Sequence, residues 1–209
     1  MKVLLLYPRY HAHVVMEAYG EIPPGLKPDD VTFLAVRGAP GPPKLVLEGD
    51  TASVTLSPTG SITDVKATLA HELAHVKHFE VVPPPREALR LRALSLPLEI
   101  YAEELVLREA PDIAVKRLRI GEKVLVDPHP VRNLIQDLER SLVLEPLRIA
   151  AERIGSRLDV PTIGALYPEV ESAKKELVRE ARKTDPLDPM ALREYLLKAK
   201  SVVRRLLTP

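Results

Sequence analysis

His71 and His75, one helical turn apart with Glu72 between them, are the residues of this sequence best suited to chemistry. On an α-helix, side chains at i and i+4 stack on one face, so two imidazole nitrogens can grip one metal ion. Glu72 stands about 100° round the helix from His71, where its carboxylate can reach a water on that metal rather than the metal itself. Zinc lowers the pKa of bound water toward about 7 and polarises a carbonyl, so a carboxylate in that place can take the water's proton and pass it to a leaving amine. The implied reaction is amide hydrolysis, with Zn2+ as cofactor, His71 and His75 as ligands and Glu72 as general base.

This chemistry needs residues 61–82 to be helical. Ser61-Ile62-Thr63-Asp64 reads as a capping box that follows the turn cluster Ser57-Pro58-Thr59-Gly60. Ile62, Val65, Leu69, Leu73 and Val76 recur at helical spacing, while Asp64, Thr68, His71, His75 and His78 gather on another face. The pattern predicts an amphipathic helix with one packing face and one chemical face. Pro83-Pro84-Pro85 cannot continue it, so it ends between Glu80 and Val82.

A catalytic zinc site takes three protein ligands and keeps one position open. His78 is poorly placed for the third, because the axial span from His71 is about 10 Å on a straight helix. A second helix, starting at Leu96-Pro97 with proline in its first position, is the better source. Glu99 and Glu103 share a face of it, with Leu98, Tyr101, Ala102 and Leu105 adjoining, and Glu103 or Glu104 is an alternative ligand.

The strings His71-Glu72-Leu73-Ala74-His75 and Glu99-Ile100-Tyr101-Ala102-Glu103 resemble those of the gluzincin metallopeptidases. The second is similar to the glutamate-x-x-alanine-acid pattern of the archaeal minigluzincins and the HtpX-like peptidases. The resemblance, over residues 45–107, implies Glu99 as the third zinc ligand and Glu103 as the acid that orients a ligand histidine. Such a carboxylate would fix the imidazole tautomer and raise its basicity. The oxyanion of such a reaction takes a further donor, for which Tyr101, His129, Tyr167 and His78 are candidates.

Ahead of the motif, Lys2 to Tyr7 reads as a buried strand too short in apolar length for a secretory signal, and Pro8 to Tyr19 as a short helix with His11 and His13 facing solvent. Val31 to Arg37 reads as a second strand and Gly38 to Pro43 as a loop. Lys44 to Glu48 and Ala52 to Ser57 form a hairpin about Gly49-Asp50, in which Val54 and Leu56 alternate with Ser53 and Thr55. If Ala52 to Ser57 is a sheet edge, a peptide substrate could pair with it through main-chain hydrogen bonds. Gly121 to Asp127 reads as a brief strand and Asp127 to Pro130 as a turn. Three further helices follow: Val131 to Gly155, broken or bent at Pro146, then Pro161 or Pro168 to Lys183, then Pro189 to Leu207.

The fold class expected is α+β: a zincin-like core, with a small mixed sheet, the motif helix and a glutamate-bearing helix, over residues 1–120. A helical C-terminal unit over 121–209 completes it. With no cysteine, thiolate-bound zinc, disulfides and thiol nucleophiles are excluded. Twenty-one prolines, a single asparagine and a single glutamine among abundant charges of both signs are the composition expected of a hyperthermophile. Net charge is +1 and no apolar run approaches the roughly 18 to 20 residues of a membrane helix. The expectation is a cytoplasmic protein with a peptide or protein substrate and no membrane partner. From Glu171 onward ten Lys or Arg face six Asp or Glu, a basic excess without interleaved aromatics, so a solvated helical face is expected rather than a nucleic-acid surface.

Overall fold

The structure is a computed structural model of the chain and describes residues 2–6, 9–29, 33–38, 44–48, 51–56, 61–83, 91–124 and 133–208. The turns expected at 49–50, 57–60 and 127–130 lie outside the described residues, as does nearly all of the loop expected at 38–43. The class is α+β. Two compact units divide the chain, residues 1–80 with 105–117, and residues 81–104 with 118–209.

The first unit carries a four-stranded mixed sheet of β1 (Lys2–Leu6), β2 (Phe33–Gly38), β3 (Lys44–Glu48) and β4 (Thr51–Leu56), in the order β1-β2-β4-β3. β1 pairs with β2 and β2 with β4 in parallel, and β3 pairs antiparallel with β4. Parallel neighbours need a crossover, and helix α1 (Arg9–Glu21) supplies the one between β1 and β2. Ala52, Val54 and Leu56 are buried while Thr51, Ser53 and Thr55 are half-buried, the alternation of a strand with one covered face. β4 therefore is not an edge: its backbone groups are committed to β2 on one side and β3 on the other. The hairpin is as read, but the outer strand is β3.

Helix α2 spans Ile62–Val81. Ser61 Oγ accepts from the Asp64 amide at 3.2 Å and the Asp64 carboxylate accepts from the Ser61 amide at 3.3 Å, which is the reciprocal capping box. Lys116 forms an ion pair with Asp64 at 3.0 Å. The expected division into a packing face and a chemical face does not hold at the centre of α2, because every residue from Leu69 to Val76 is buried. Eight residues are more than two turns, so the helix is enclosed all round there.

The second unit holds most of helix α3 (Arg92–Glu109), the end of α4 (Pro111–Val124), and α5 (Leu134–Ser141), α6 (Glu145–Ile154), α7 (Pro168–Lys183) and α8 (Pro189–Leu207). α3 begins five residues before Pro97, so that proline lies inside the helix rather than at its first position. An interior proline ordinarily costs about 3 kcal/mol, from the lost N–H and the clash with the preceding turn. Here the N-terminus is satisfied from afar. The Glu139 carboxylate accepts from the Arg92 and Ala93 amides at 2.8 and 3.0 Å, and the Leu91 carbonyl takes those of Leu94 and Ser95.

Gly121 to Val124 is helical, not strand. A Cβ on Gly121 would clash with Leu144 Cδ2, so the glycine permits close packing in a helix where the sequence reads as the start of a strand. The helix expected from Val131 to Gly155 is two, with Asn133 capping α5 and Pro146 in the first turn of α6, which ends at Gly155 with φ +67°. α7 starts at Pro168 and α8 at Pro189, each with proline in its first turn. Among the described residues no helix is long and apolar enough to cross a membrane.

Burial pushes the Asp64 carboxyl up, but hydrogen bonds from Lys116 and Ser61 and the Lys116 charge outweigh it and hold the group below its ordinary value. A carboxylate depressed in the folded state stabilises above its unfolded pKa of about 3.9, and that stabilisation is lost as pH falls through the lower folded value. Ser61→Ala is expected to cost about 1 kcal/mol in urea unfolding at pH 7. The stability difference between the wild type and Asp64→Asn should shrink steadily as pH falls below about 4.

Candidate metal centre

His71, Glu72 and His75 lie on α2 and are 5, 8 and 7% exposed. The Nε2 atoms of His71 and His75 are 3.2 Å apart, with the rings edge-to-face. Zinc–nitrogen bonds of about 2.0 to 2.1 Å at a tetrahedral angle place two ligand nitrogens about 3.3 to 3.4 Å apart. The two imidazoles are thus spaced as a chelating pair.

Ligand atoms of His71, His75 and Glu99 all lie within 4.8 Å of one another. Two neutral imidazoles and one carboxylate make a donor set that suits a borderline divalent cation, and the absence of cysteine leaves no softer alternative. Glu103 is 3% exposed, one turn along α3 from Glu99 on the same face. Glu104 instead forms an ion pair with Arg153 at 3.0 Å and is not in the group. His78 is also outside it, 1% exposed and stacked on Phe79 with ring centroids 5.6 Å apart.

Several contacts escaped sequence reading. Phe79, at i+4 from His75, stacks on its ring at 5.7 Å and 24°, a spacing that was legible but reads as packing. Ser95 Oγ lies 3.4 Å from both Glu99 Oε1 and the Arg92 carbonyl, and its one proton serves one of these long contacts at a time. Glu139 and Tyr195, which hold the start of α3, lie tens of residues away and carry no local signal.

Of the oxyanion candidates, Tyr101 and Tyr167 are half-buried and His129 lies outside the described residues. His13 is exposed, as expected for a residue away from the site; the His11 side chain lies outside the described residues. The basic excess of the C-terminal helices is in part taken up by ion pairs: Arg179 and Lys198 with Glu180, Arg182 with Glu152, and Arg205 with Glu176.

Compared with protein-family models, with curated proteins and with solved structures, the chain matches none.

Because Glu99 belongs to the grouped donors and Glu104 to an ion pair, two single variants should part. Glu99→Ala is expected to lower bound zinc at least tenfold after dialysis against a weak chelator, measured by elemental analysis, a loss on the scale of removing an interaction that holds a metal in place. Glu104→Ala should leave the zinc content within about twofold and lower thermal stability instead, as expected when Arg153 loses its partner.

Proposed function

We propose that this protein is a zinc-dependent peptidase of gluzincin type, in which His71, His75 and Glu99 hold the ion and Glu72 is the general base. The observation that carries the reading is the meeting of three ligand atoms, from residues 71, 75 and 99, within 4.8 Å beside a buried Glu72. The motif spacing supports it, as does the resemblance of both strings to that family.

Zinc, when bound, supplies a Lewis acid that polarises a peptide carbonyl and makes a water acidic near neutral pH. The chain's residues do the rest. Nε2 of His71 and of His75 donate lone pairs, and the Glu99 carboxylate supplies a negative charge that offsets part of the ion's. The Glu72 carboxylate accepts the proton of the attacking water and delivers it to the departing amine nitrogen, so one group serves as base and then as acid. Glu103 orients an imidazole. Burial of His71, Glu72, His75 and Glu103 limits their contact with bulk water and strengthens each electrostatic contact. A peptide substrate would pair along β3, the outer strand beside β4, rather than along β4 itself.

One observation favours a second reading. His71, Glu72 and His75 are all below a tenth exposed and Glu99 is half-buried, so little of the group faces solvent, as in a structural metal site or a latent peptidase. Glu72→Gln separates the readings. An active peptidase should keep its zinc in this variant and lose cleavage of an unstructured, fluorogenically labelled protein by at least a hundredfold, as for loss of a general base. Equal cleavage by the wild type and Glu72→Gln would reject the mechanism. Full zinc with no cleavage by the wild type, before or after limited proteolysis, would favour the structural metal.

A further inference from the structure

The start of α3 is held by side chains from two other helices of its unit. Pro97 has no N–H, so the carbonyl of Ala93, four residues earlier, receives no helical bond from that position. Tyr195 on α8 donates its hydroxyl to this carbonyl at 2.8 Å, across 102 residues of sequence. Tyr195 is 2% exposed. Burial, and then the nearby Glu139 and Glu180 carboxylates, push its hydroxyl far above the ordinary value, so it remains a donor throughout the accessible pH range. Glu139 on α5 accepts from the Arg92 and Ala93 amides. Ala93 is thus gripped at both its amide and its carbonyl, and Glu99 follows Pro97 by two residues on the same helix.

We propose that Tyr195 is a positioning residue for the metal ligand Glu99, acting through the backbone carbonyl that Pro97 leaves without a helical donor. The inference rests on the metal reading above. An interior proline removes the bond that would tie the first turn of α3 to the turn bearing Glu99. The Tyr195 hydroxyl replaces it from outside, so the axial position and rotation of the ligand-bearing turn are set by α8 rather than by the helix alone. A side chain that must meet two imidazoles has little tolerance for a rotated helix, since metal–ligand distances are fixed to about 0.2 Å.

The test is a double-mutant cycle read as the zinc dissociation constant of full-length apo-protein, by competition with a chromophoric chelator. The proteins are the wild type, Tyr195→Phe, Pro97→Ala and the double variant, with His71→Ala as the control for the metal reading. Tyr195→Phe is expected to weaken zinc binding about tenfold, the lower end of what loss of an orienting partner costs. In the Pro97→Ala background the restored amide serves the Ala93 carbonyl, and the same change should weaken binding less than about twofold. An equal loss in both backgrounds, or none in the wild-type background while His71→Ala loses zinc, overturns the positioning role alone. Zinc binding by His71→Ala as tight as the wild type's overturns the metal reading and this role with it. Should Tyr195→Phe fail to fold, recovery of folding in the double variant supports the link, and a double variant equally unfolded overturns it.

Discussion

The centre of α2 is enclosed on every side while carrying two histidines and a glutamate, and most of the site's design follows from that constraint. Removing imidazoles and a carboxylate from water is costly unless each meets a partner inside the protein. Val65, Leu69, Leu73 and Val76 drive the burial, and the polar residues are carried in with them. Ligand atoms of His71, His75 and Glu99 lie within 4.8 Å of one another. Phe79 supplies the apolar contact on the face of the His75 ring, which also meets the His71 ring in a T-shaped pair.

The helix that carries Glu99, α3, is an unusual one. It contains a proline in its interior, and Leu91 just before it has no side-chain acceptor to cap it, both of which disfavour it in isolation. The adjacent Leu91 carbonyl takes two of its first four amides, while the distant Glu139 carboxylate takes the other two and the Tyr195 hydroxyl meets the buried Ala93 carbonyl, so tertiary contacts complete the helix. The start of α3 therefore depends on Glu139 of α5 and Tyr195 of α8.

The same logic runs through the helical unit. Asp137, 5% exposed, accepts from the amides of Leu166 and Tyr167 and from Arg140, and Lys174, 3% exposed, pairs with Glu145 at 2.9 Å and donates to the Ile163 carbonyl. These charges anchor the irregular stretch between α6 and α7 by meeting the amides of Leu166 and Tyr167 and the carbonyl of Ile163. A buried charge so committed is a source of specificity for one arrangement of the chain, even where its net stabilisation is small.

Local chemistry was legible wherever the responsible residues are neighbours in sequence. The capping box at Ser61 and Asp64, the chelating spacing of His71 and His75, the alternation along β4, and the proline starts of α7 and α8 all rest on contacts within four residues. Strand order was not legible, because a hairpin's sequence does not say which of its strands faces outward. Nor was the true start of α3, since Pro97 reads as a boundary unless the distant Tyr195 hydroxyl is known. Gly121 reads as the start of a strand until Leu144 is seen against it in a helix. The sequence by itself determined which side chains could bind a metal and that two of them share a helical face. The tertiary structure alone decided that Glu99 is grouped with them and Glu104 is drawn to Arg153, because partners distant in sequence are chosen by the packing of whole helices.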